Sequence, residues 1–447
     1  MPWDGCQLRL LDLASPISAA VIAGGTSESI LQPTWTPDGR LLVVSDRTGW
    51  WNLYQVNGND LESLWPASEE FSEAPWLLGL STFSVLDDHR LVARHGTRTN
   101  RLSVLDIRTG SFTEVQLPVT EVEPLMAAHG DRVVVVAQTS NARSVVLLVE
   151  LAREAITAVR WASGKVCRDE FIPTARIVAV PAQDDRTVPA VIYPPTSPDT
   201  AGQPGERPPW LVAVHGGPTS RNAATLQEIS FFTSRGFGVV DVDYAGSTGW
   251  GRAWRQALYG QWGILDVDDC VAVARWLVDN DLAQDGRVAI RGGSSGGWTA
   301  IGALTRSTVF GAAVSLCGVV DATLLAEQTH DFESHYLDWL IGALPEAKTR
   351  YVERSPLSHV DAINAPVLLL QGVDDPVVPR SQSEAIVAAL QAKGIPYAYL
   401  AFEGEQHGLK SAENRVAALQ AELSFYGQVF GFDPPDTPKL VIHRPAD

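Results

Sequence analysis

A glycine-rich stretch, IRGGSSGGW (290–298), contains two adjacent serines that could act as a nucleophile. Each is the centre of a Gly-x-Ser-x-Gly frame, so Ser294 and Ser295 are both candidates. A serine hydroxyl is a weak nucleophile, and it becomes reactive only when a base removes its proton and a carboxylate orients that base. A glycine-rich turn alone is weak evidence of catalysis, so the residues that follow decide its meaning.

A base and an acidic pair follow downstream, each after a predicted strand. GVDDPVVP (372–379) contains Asp374 and Asp375, and GEQHG (404–408) contains His407. The chain order Ser, Asp, His is that of the α/β-hydrolases. A single histidine in a loop is more often solvated than catalytic, but three matches in this order favour a catalytic triad.

The elements that hold these residues alternate between strands and helices. The serine motif follows a predicted strand and opens a predicted helix, which is the context of a nucleophile elbow. Continuous apolar strands alternating with helices predict a mostly parallel sheet with both faces covered, whose ligands gather at the carboxyl ends of the strands. The predicted strands are 210–217, 237–244, 287–292, 312–318, 365–372 and 397–402, and the predicted helices are 226–236, 267–280, 297–307 and 383–394.

Residues 1–170 have a different pattern, in which short β-type runs are separated by turn residues such as Pro-Asp-Gly (37–39). This is the pattern of antiparallel hairpins in a propeller or sandwich. The stretch PTWTPDGRLLVVSDRTGWWNLYQV (33–56) resembles a blade of the β-propellers of bacterial peptidases, although a generic all-β domain is the alternative. We therefore expect a partial propeller over 1–170, an α/β-hydrolase domain over 171–433 and a tail over 434–447.

The net charge bears on the binding partners of the protein, and the cysteine content bears on its compartment. The formal charge of −18 disfavours nucleic acid and anionic membranes. Four scattered cysteines, Cys6, Cys167, Cys270 and Cys317, contain no CxxC pair and suggest a reducing compartment rather than a disulfide framework. Since no leader or long apolar segment is recognisable, a cytoplasmic protein is expected.

Residues 171–433 resemble the catalytic domain of the prolyl oligopeptidase family of serine peptidases, closest to its bacterial acylaminoacyl-peptidase and dipeptidyl-aminopeptidase-like branch. The stretches that carry this resemblance are VHGGPTSR (214–221), DYAGSTGWGRAW (243–254), WGILDVDDC (262–270), RGGSSGGW (291–298), GVDDPVVP (372–379) and GEQHG (404–408). They span the whole predicted domain.

The resemblance implies a role for each candidate. The family motif Gly-x-Ser-x-Gly-Gly fits Ser294 as the nucleophile, with the backbone N–H of Ser295 in the oxyanion hole. The family spacing makes Asp375 the acid, with Asp374 as the alternative, and His407 the base. In this branch a backbone N–H of the HGGP glycine pair is the second oxyanion donor, which we assign to Gly217. The machinery implies no organic cofactor and no metal.

Aromatic residues are candidates for binding substrate. In HDFESHYLDWL (330–340), Phe332, Tyr336 and Trp339 recur at the spacing of one helical face, and the resemblance makes them a candidate wall of the P1 pocket. Packing into the core is an equally good interpretation of such a stripe. We also assign Trp298, which ends the serine motif, to substrate binding.

Two features depart from the family pattern. Val377 occupies the position at which some members carry an arginine that holds the substrate backbone. About 170 residues supply about four blades at roughly 40 to 45 residues each, fewer than a complete family propeller. We therefore expect a chain shortened at its amino-terminal end.

The sequence as a whole predicts a serine peptidase that hydrolyses short peptides, of the acylaminoacyl-, dipeptidyl- or oligopeptidase type. A carboxylesterase with the same triad is the nearest alternative, because the fold does not fix the substrate. A catalytically impaired fragment or interaction protein is the third. The sequence leaves a homo-oligomer open.

Overall fold

The chain forms two units that differ in secondary structure. The structure is a computed structural model that describes residues 1–14, 19–140, 144–164, 168–221 and 225–444; Cys167 lies outside them. One unit comprises Met1–Arg168 together with Thr248–Arg255, and the other comprises Asp169–Ser247 and Gln256–Asp447.

Antiparallel strands build the first unit. A two-stranded sheet pairs β1 with β2, and three four-stranded sheets follow, made of β3 to β6, β7 to β10 and β11 to β14. The strands are β1 Gln7–Leu11, β2 Ala19–Gly24, β3 Ile30–Trp35, β4 Leu41–Ser45, β5 Asn52–Asn57, β6 Asp60–Trp65, β7 Phe83–Val85, β8 Arg90–Gly96, β9 Asn100–Asp106, β10 Ser111–Glu114, β11 Glu121–His129, β12 Arg132–Gln138, β13 Ser144–Glu150 and β14 Ala155–Trp161. This all-β region is consistent with the expected partial propeller.

The alternation of apolar residues explains how these sheets pack. In β12, Val133, Val135 and Ala137 are buried while the residues between them are more exposed, as a strand period of two requires. They join a core cluster that includes Val92 and Leu102 from the neighbouring four-stranded sheet. The sheets β7 to β10 and β11 to β14 thus share one buried core.

Thr248–Arg255 belongs to the first unit because buried charges hold it there. Arg252 and Arg255 both form ion pairs with the buried carboxylate of Asp46. The carboxylate of Glu70 accepts a hydrogen bond from the N–H of Gly251 at 3.1 Å. Local sequence patterns gave no sign of this, since the segment lies between two elements of the α/β region.

The second unit is built on one eight-stranded sheet. Its order is β15-β16-β18-β17-β19-β20-β21-β22, antiparallel through the first three strands and parallel from β18 onward. The strands are β15 Arg176–Pro181, β16 Thr187–Tyr193, β17 Trp210–Val214, β18 Gly238–Val242, β19 Val288–Gly293, β20 Phe310–Leu316, β21 Val367–Gly372 and β22 Tyr397–Phe402. This confirms the predicted α/β-hydrolase fold class.

The described chain contains α-helices and short 3₁₀ helices, most of them between strands of the eight-stranded sheet. The α-helices are α1 Leu226–Thr233, α2 Gly251–Gln256, α3 Leu265–Asp279, α4 Ser295–Arg306, α5 Ala322–Gln328, α6 Tyr336–Leu340, α7 Lys348–Arg354, α8 Ser381–Lys393 and α9 Ala412–Phe430. Short 3₁₀ helices cover Leu151–Arg153, Asp169–Phe171, Asp331–Glu333 and Pro356–Ala362. Within the described residues, none of these helices combines the length and apolar character needed to cross a bilayer.

The segment 330–340 is not the single helix that its aromatic spacing predicts. It contains the 3₁₀ turn Asp331–Glu333 and then α6, with His335 between them at φ −110° and ψ 9°. The hydroxyl of Ser334 donates to the carbonyl of Asp331 at 2.8 Å and closes the 3₁₀ turn. Phe332 therefore does not share a continuous helical face with Tyr336.

Candidate active site

Ser294 lies at a sharp turn between β19 and α4. Its φ of 55° and ψ of −124° are outside the ordinary helix and strand regions, a strain of about 1–3 kcal/mol that the surroundings must hold in place. A Cβ on Gly292 would lie 2.4 Å from the carbonyl oxygen of Gly296, and one on Gly296 would lie 2.3 Å from that of Val214. Glycine is therefore required two residues before and two residues after Ser294, as the elbow hypothesis predicts.

Ser295 has a different environment, since it is the first residue of α4 and is buried. Its hydroxyl oxygen accepts a hydrogen bond from the indole N–H of Trp262 at 3.0 Å. Its backbone N–H belongs to the first helical turn, where no intrahelical acceptor exists. The side chain thus supports packing, while the amide is available to an oxyanion.

The candidate acid and the candidate base are joined by a hydrogen bond. His407 Nδ1 lies 2.8 Å from Asp375 Oδ2, and Asp375 Oδ1 accepts from the N–H groups of Val377 at 2.8 Å and Val378 at 2.9 Å. Asp374, the alternative acid, is exposed, whereas Asp375 is buried. The geometry therefore favours Asp375.

The environment of Asp375 keeps it ionised. Burial raises its pKa, but the hydrogen bond and the charge of His407, together with the N–H groups of Val377 and Val378, outweigh burial and lower the pKa below the usual value. An ionised carboxylate on Nδ1 fixes the tautomer of the imidazole, so that Nε2 is the nitrogen that can accept a proton.

The order of the strands brings these groups together. β19, β20, β21 and β22 are consecutive parallel neighbours, about 4.8 Å apart, and Ser294, Cys317, Asp375 and His407 follow their carboxyl ends. The N–H of Ser294 donates to the carbonyl of Leu316 at 2.9 Å. The side-chain ligand atoms of Cys317, Asp375 and His407 all lie within 4.8 Å of one another.

Cys317 was not singled out by the sequence analysis, although it ends a predicted apolar strand. The three clustered side chains are of metal-ligating types. However, burial raises the pKa of the Cys317 thiol to about 11, and Asp375 and His407 are bonded to each other. A metal would require the loss of that thiol proton and the separation of the pair, so the cluster fits an acid–base pair better than a metal centre.

The loop after β17, the strand that pairs with β19 on the side opposite β20, also approaches Ser294. A Cβ on Gly216 would lie 3.2 Å from the Cβ of Ser294, so the loop backbone contacts the elbow directly. Gly217 has a φ of 115° and would bring a Cβ within 2.8 Å of the backbone nitrogen of Thr219. Gly217 is thus held beside the serine, where the resemblance assigns the second oxyanion donor.

A pocket opens at this point, with Gly217, Ser294 and Ser295 in its wall. Val377 and Val378, beyond the acid, line it as well. The rest of the wall is largely apolar and includes the side chains of Trp262, Val319, Leu325, Tyr336, Leu337 and Leu340.

The four residues predicted to bind substrate have different positions. Tyr336 lines the pocket and is buried. Phe332 and Trp339 are 42% and 45% exposed, and neither is among the described residues that form the pocket wall. Trp298 is fully buried and stacks on Trp262 with ring centroids 4.4 Å apart, so it supports the wall from behind. Only Tyr336 therefore reaches the pocket directly.

The wall also contains an acidic residue that the sequence analysis missed, Glu333. It lies within the aromatic stretch 330–340, where only the aromatic spacing was considered. An acidic residue next to Phe332, in a stretch already predicted to line the pocket, was the available signal.

Comparisons with known proteins agree with this architecture. Residues 223–433 match the model of the prolyl oligopeptidase family. Dipeptidyl aminopeptidase BIII of Pseudoxanthomonas mexicana is 30% identical over 263 residues, which cover 57% of this chain and 38% of that enzyme. The acylamino-acid-releasing enzyme of Arabidopsis thaliana is 28% identical over 218 residues, covering 46% of this chain and 28% of that enzyme.

A solved structure extends the match to almost the whole chain. A puromycin-hydrolyzing peptidase of Mycobacterium tuberculosis superposes with a TM-score of 0.96 at 43% identity, over 99% of this chain and 68% of that one. The chain thus spans about two thirds of that peptidase and well under half of the curated relatives named above. The chain belongs to the prolyl oligopeptidase family of serine-type peptidases.

Proposed function

We propose that this chain hydrolyses short peptides through an acyl-enzyme formed on Ser294, with His407 as the base and Asp375 as the acid that orients it. The observation that carries the proposal is the 2.8 Å hydrogen bond between His407 Nδ1 and an ionised Asp375, at the same sheet edge as a serine in elbow geometry. Such a pair converts a neutral hydroxyl into a nucleophile at neutral pH.

In the first half of the reaction, Ser294 Oγ attacks the carbonyl carbon of the scissile amide while His407 Nε2 takes the hydroxyl proton. The charge on the carbonyl oxygen is stabilised by the N–H of Ser295 and, on the family assignment, that of Gly217. The tetrahedral intermediate then collapses, the C–N bond breaks, and His407 gives its proton to the leaving amine.

In the second half, a water molecule attacks the acyl-enzyme carbonyl and gives one proton to His407. Collapse of this second intermediate breaks the bond between the acyl carbon and Ser294 Oγ. His407 returns the proton to the serine, and the carboxylic acid leaves. Asp375 stays ionised throughout and stabilises the imidazolium in each half.

The pocket and the relatives support a small substrate that contains an amide bond. The wall of the pocket is largely apolar, which suits an apolar side chain of the substrate. The relatives bear the names of enzymes that release dipeptides or acylamino acids, or that hydrolyse puromycin. Puromycin is an aminoacyl amide with an aromatic side chain, and such a side chain suits the apolar wall.

Labelling with a fluorophosphonate, followed by intact-mass measurement and peptide mapping, tests the proposal. We expect one adduct, on Ser294, that is absent in Ser294→Ala and retained in Ser295→Ala. Turnover of aminoacyl and N-acylaminoacyl p-nitroanilides, and of puromycin, should then be measurable. Hydrolysis of p-nitrophenyl esters without any amide hydrolysis would instead indicate a carboxylesterase. A folded protein that gives no adduct would contradict the proposal.

A further inference from the structure

Glu333 is an acidic side chain in an otherwise largely apolar pocket wall. Its side chain is 19% exposed, and it ends the 3₁₀ turn just before α6. Within the described chain its carboxylate makes two long contacts, with Thr329 Oγ1 at 3.5 Å and with His330 Nε2 at 3.9 Å. Neither is a strong hydrogen bond, so the carboxylate has capacity for another donor.

The electrostatic surroundings of Glu333 also favour binding of a further positively charged donor. Burial raises the pKa of its carboxyl group above the usual value, and the positive charge of His330 and His407 offsets this only in part. Glu333 and Ser294 line the same pocket, so the carboxylate faces the space next to the proposed nucleophile. A poorly solvated carboxylate beside an open pocket gains more from pairing with a cation than an exposed one does.

We propose that Glu333 binds the α-ammonium group of substrates whose amino terminus is free, which would make this chain an aminopeptidase. This inference rests on the proposed function, because it names the substrate class of that same site. The bound ammonium donates to the carboxylate, and the side chain of the adjacent residue enters the apolar pocket. An N-acylated substrate brings no charge and leaves the carboxylate unpaired.

The position of the carboxylate favours an α-ammonium over a basic side chain. In an unblocked aminoacyl or dipeptidyl substrate the ammonium is only a few bonds from the carbonyl under attack, and Glu333 lines the same pocket as Ser294, the residue proposed to attack it. A lysine or arginine side chain would instead carry its charge into the pocket, past apolar residues such as Val319, Leu325 and Leu340. The charge would lose its hydration along that apolar wall before it met Glu333, which opposes the arrangement.

Matched substrates test the inference. We compare kcat/KM for leucine p-nitroanilide with that for N-acetyl-leucine p-nitroanilide in the wild type, in Glu333→Gln and in the control Glu327→Gln. Glu327 is an exposed carboxylate on α5. We expect the wild type to prefer the free amine, and the ratio of the two values to fall about 10- to 100-fold in Glu333→Gln, since a hydrogen bond between two charged groups is lost. The ratio should not change in Glu327→Gln.

Further substrates identify the source of the ammonium. A larger loss with glycyl-leucine p-nitroanilide than with leucine p-nitroanilide would assign the contact to the second residue from the scissile bond, and the reverse to the first. A loss with N-acetyl-lysine p-nitroanilide but not with the free-amine substrates would overturn the inference, as would a wild type that prefers the acetylated substrate. Fluorophosphonate labelling of the wild type separates the two failures, because missing label contradicts the proposed function, while labelled enzyme with an unchanged ratio contradicts only the role of Glu333.

Discussion

Replacement of Asp375 by asparagine isolates the catalytic effect of its charge. Oδ1 accepts two backbone hydrogen bonds, from Val377 and Val378, and Oδ2 pairs with Nδ1 of His407. Asparagine can keep the two backbone bonds through its carbonyl oxygen, but it then presents an NH₂ donor to the histidine. The imidazole responds by accepting at Nδ1 and carrying its proton on Nε2. In that tautomer it cannot remove the serine proton.

We expect kcat to fall about 10⁴-fold, as loss of the reactive tautomer does in serine proteases of other folds. This loss corresponds to about 5 kcal/mol in the activation free energy. KM should change little, because Asp375 is not among the described residues that line the pocket. The assay is steady-state hydrolysis of the best amide substrate, with thermal unfolding measured in parallel to confirm the fold.

Asp374→Asn is the matched control, since this neighbouring carboxylate is exposed. We expect it to keep activity within about twofold. A loss of less than about tenfold in Asp375→Asn would refute the assigned role, and a larger loss in the control would make Asp374 the acid.

Three further outcomes test the site and its support. Ser294→Ala should abolish turnover, whereas Ser295→Ala should keep most of kcat and lose about 1–3 kcal/mol of unfolding free energy, because a buried indole N–H loses its acceptor. Glu422→Gln should cost about 3–5 kcal/mol in urea unfolding, since it leaves the largely buried guanidinium of Arg291, now held by two hydrogen bonds of 2.9 and 3.0 Å, without a charge partner. The pKa of Asp375 is lower in the folded protein, so its stabilisation is present above its unfolded pKa of about 3.9 and is lost as pH falls through the folded value. The difference in unfolding free energy between the wild type and Asp375→Asn should therefore shrink as the pH falls below about 4, and a difference that stays the same there would contradict the proposed role of the charge.

The regular elements of the α/β region could be predicted because local signals and tertiary structure agree there. The predicted helix 383–394 corresponds to α8, and Gly394 ends it in the left-handed conformation at φ 67°. The helix after the serine motif begins two residues earlier than predicted. Its glycine-rich start has poor helix propensity, but packing against β17 through Gly296 compensates for it.

The substrate side of the site was harder to predict. The motifs fix the residue types of the triad locally, but the wall of the pocket depends on how an irregular segment turns. Aromatic spacing indicated one helix across 330–340, whereas His335 interrupts it and leaves Phe332 exposed. Helical spacing does not predict which residues share a face when the helix is interrupted. The aromatic spacing therefore could not identify Glu333 as a residue of the pocket wall. The roles of these residues stay predictions until they are tested.

A single packing constraint accounts for the position of both the nucleophile and the groups proposed to stabilise the oxyanion. The strained φ of Ser294 persists because β19 and the start of α4 approach so closely that Gly292 and Gly296 have no room for a Cβ. The carbonyl that excludes a side chain from Gly296 belongs to Val214, the last residue of β17, and the loop that follows it brings Gly216 against Ser294. The contact that maintains the strain therefore also fixes the distance between the serine and the neighbouring loop. A side chain at Gly296 would disturb both at once, so the glycine pattern serves the geometry of the whole site rather than the turn alone.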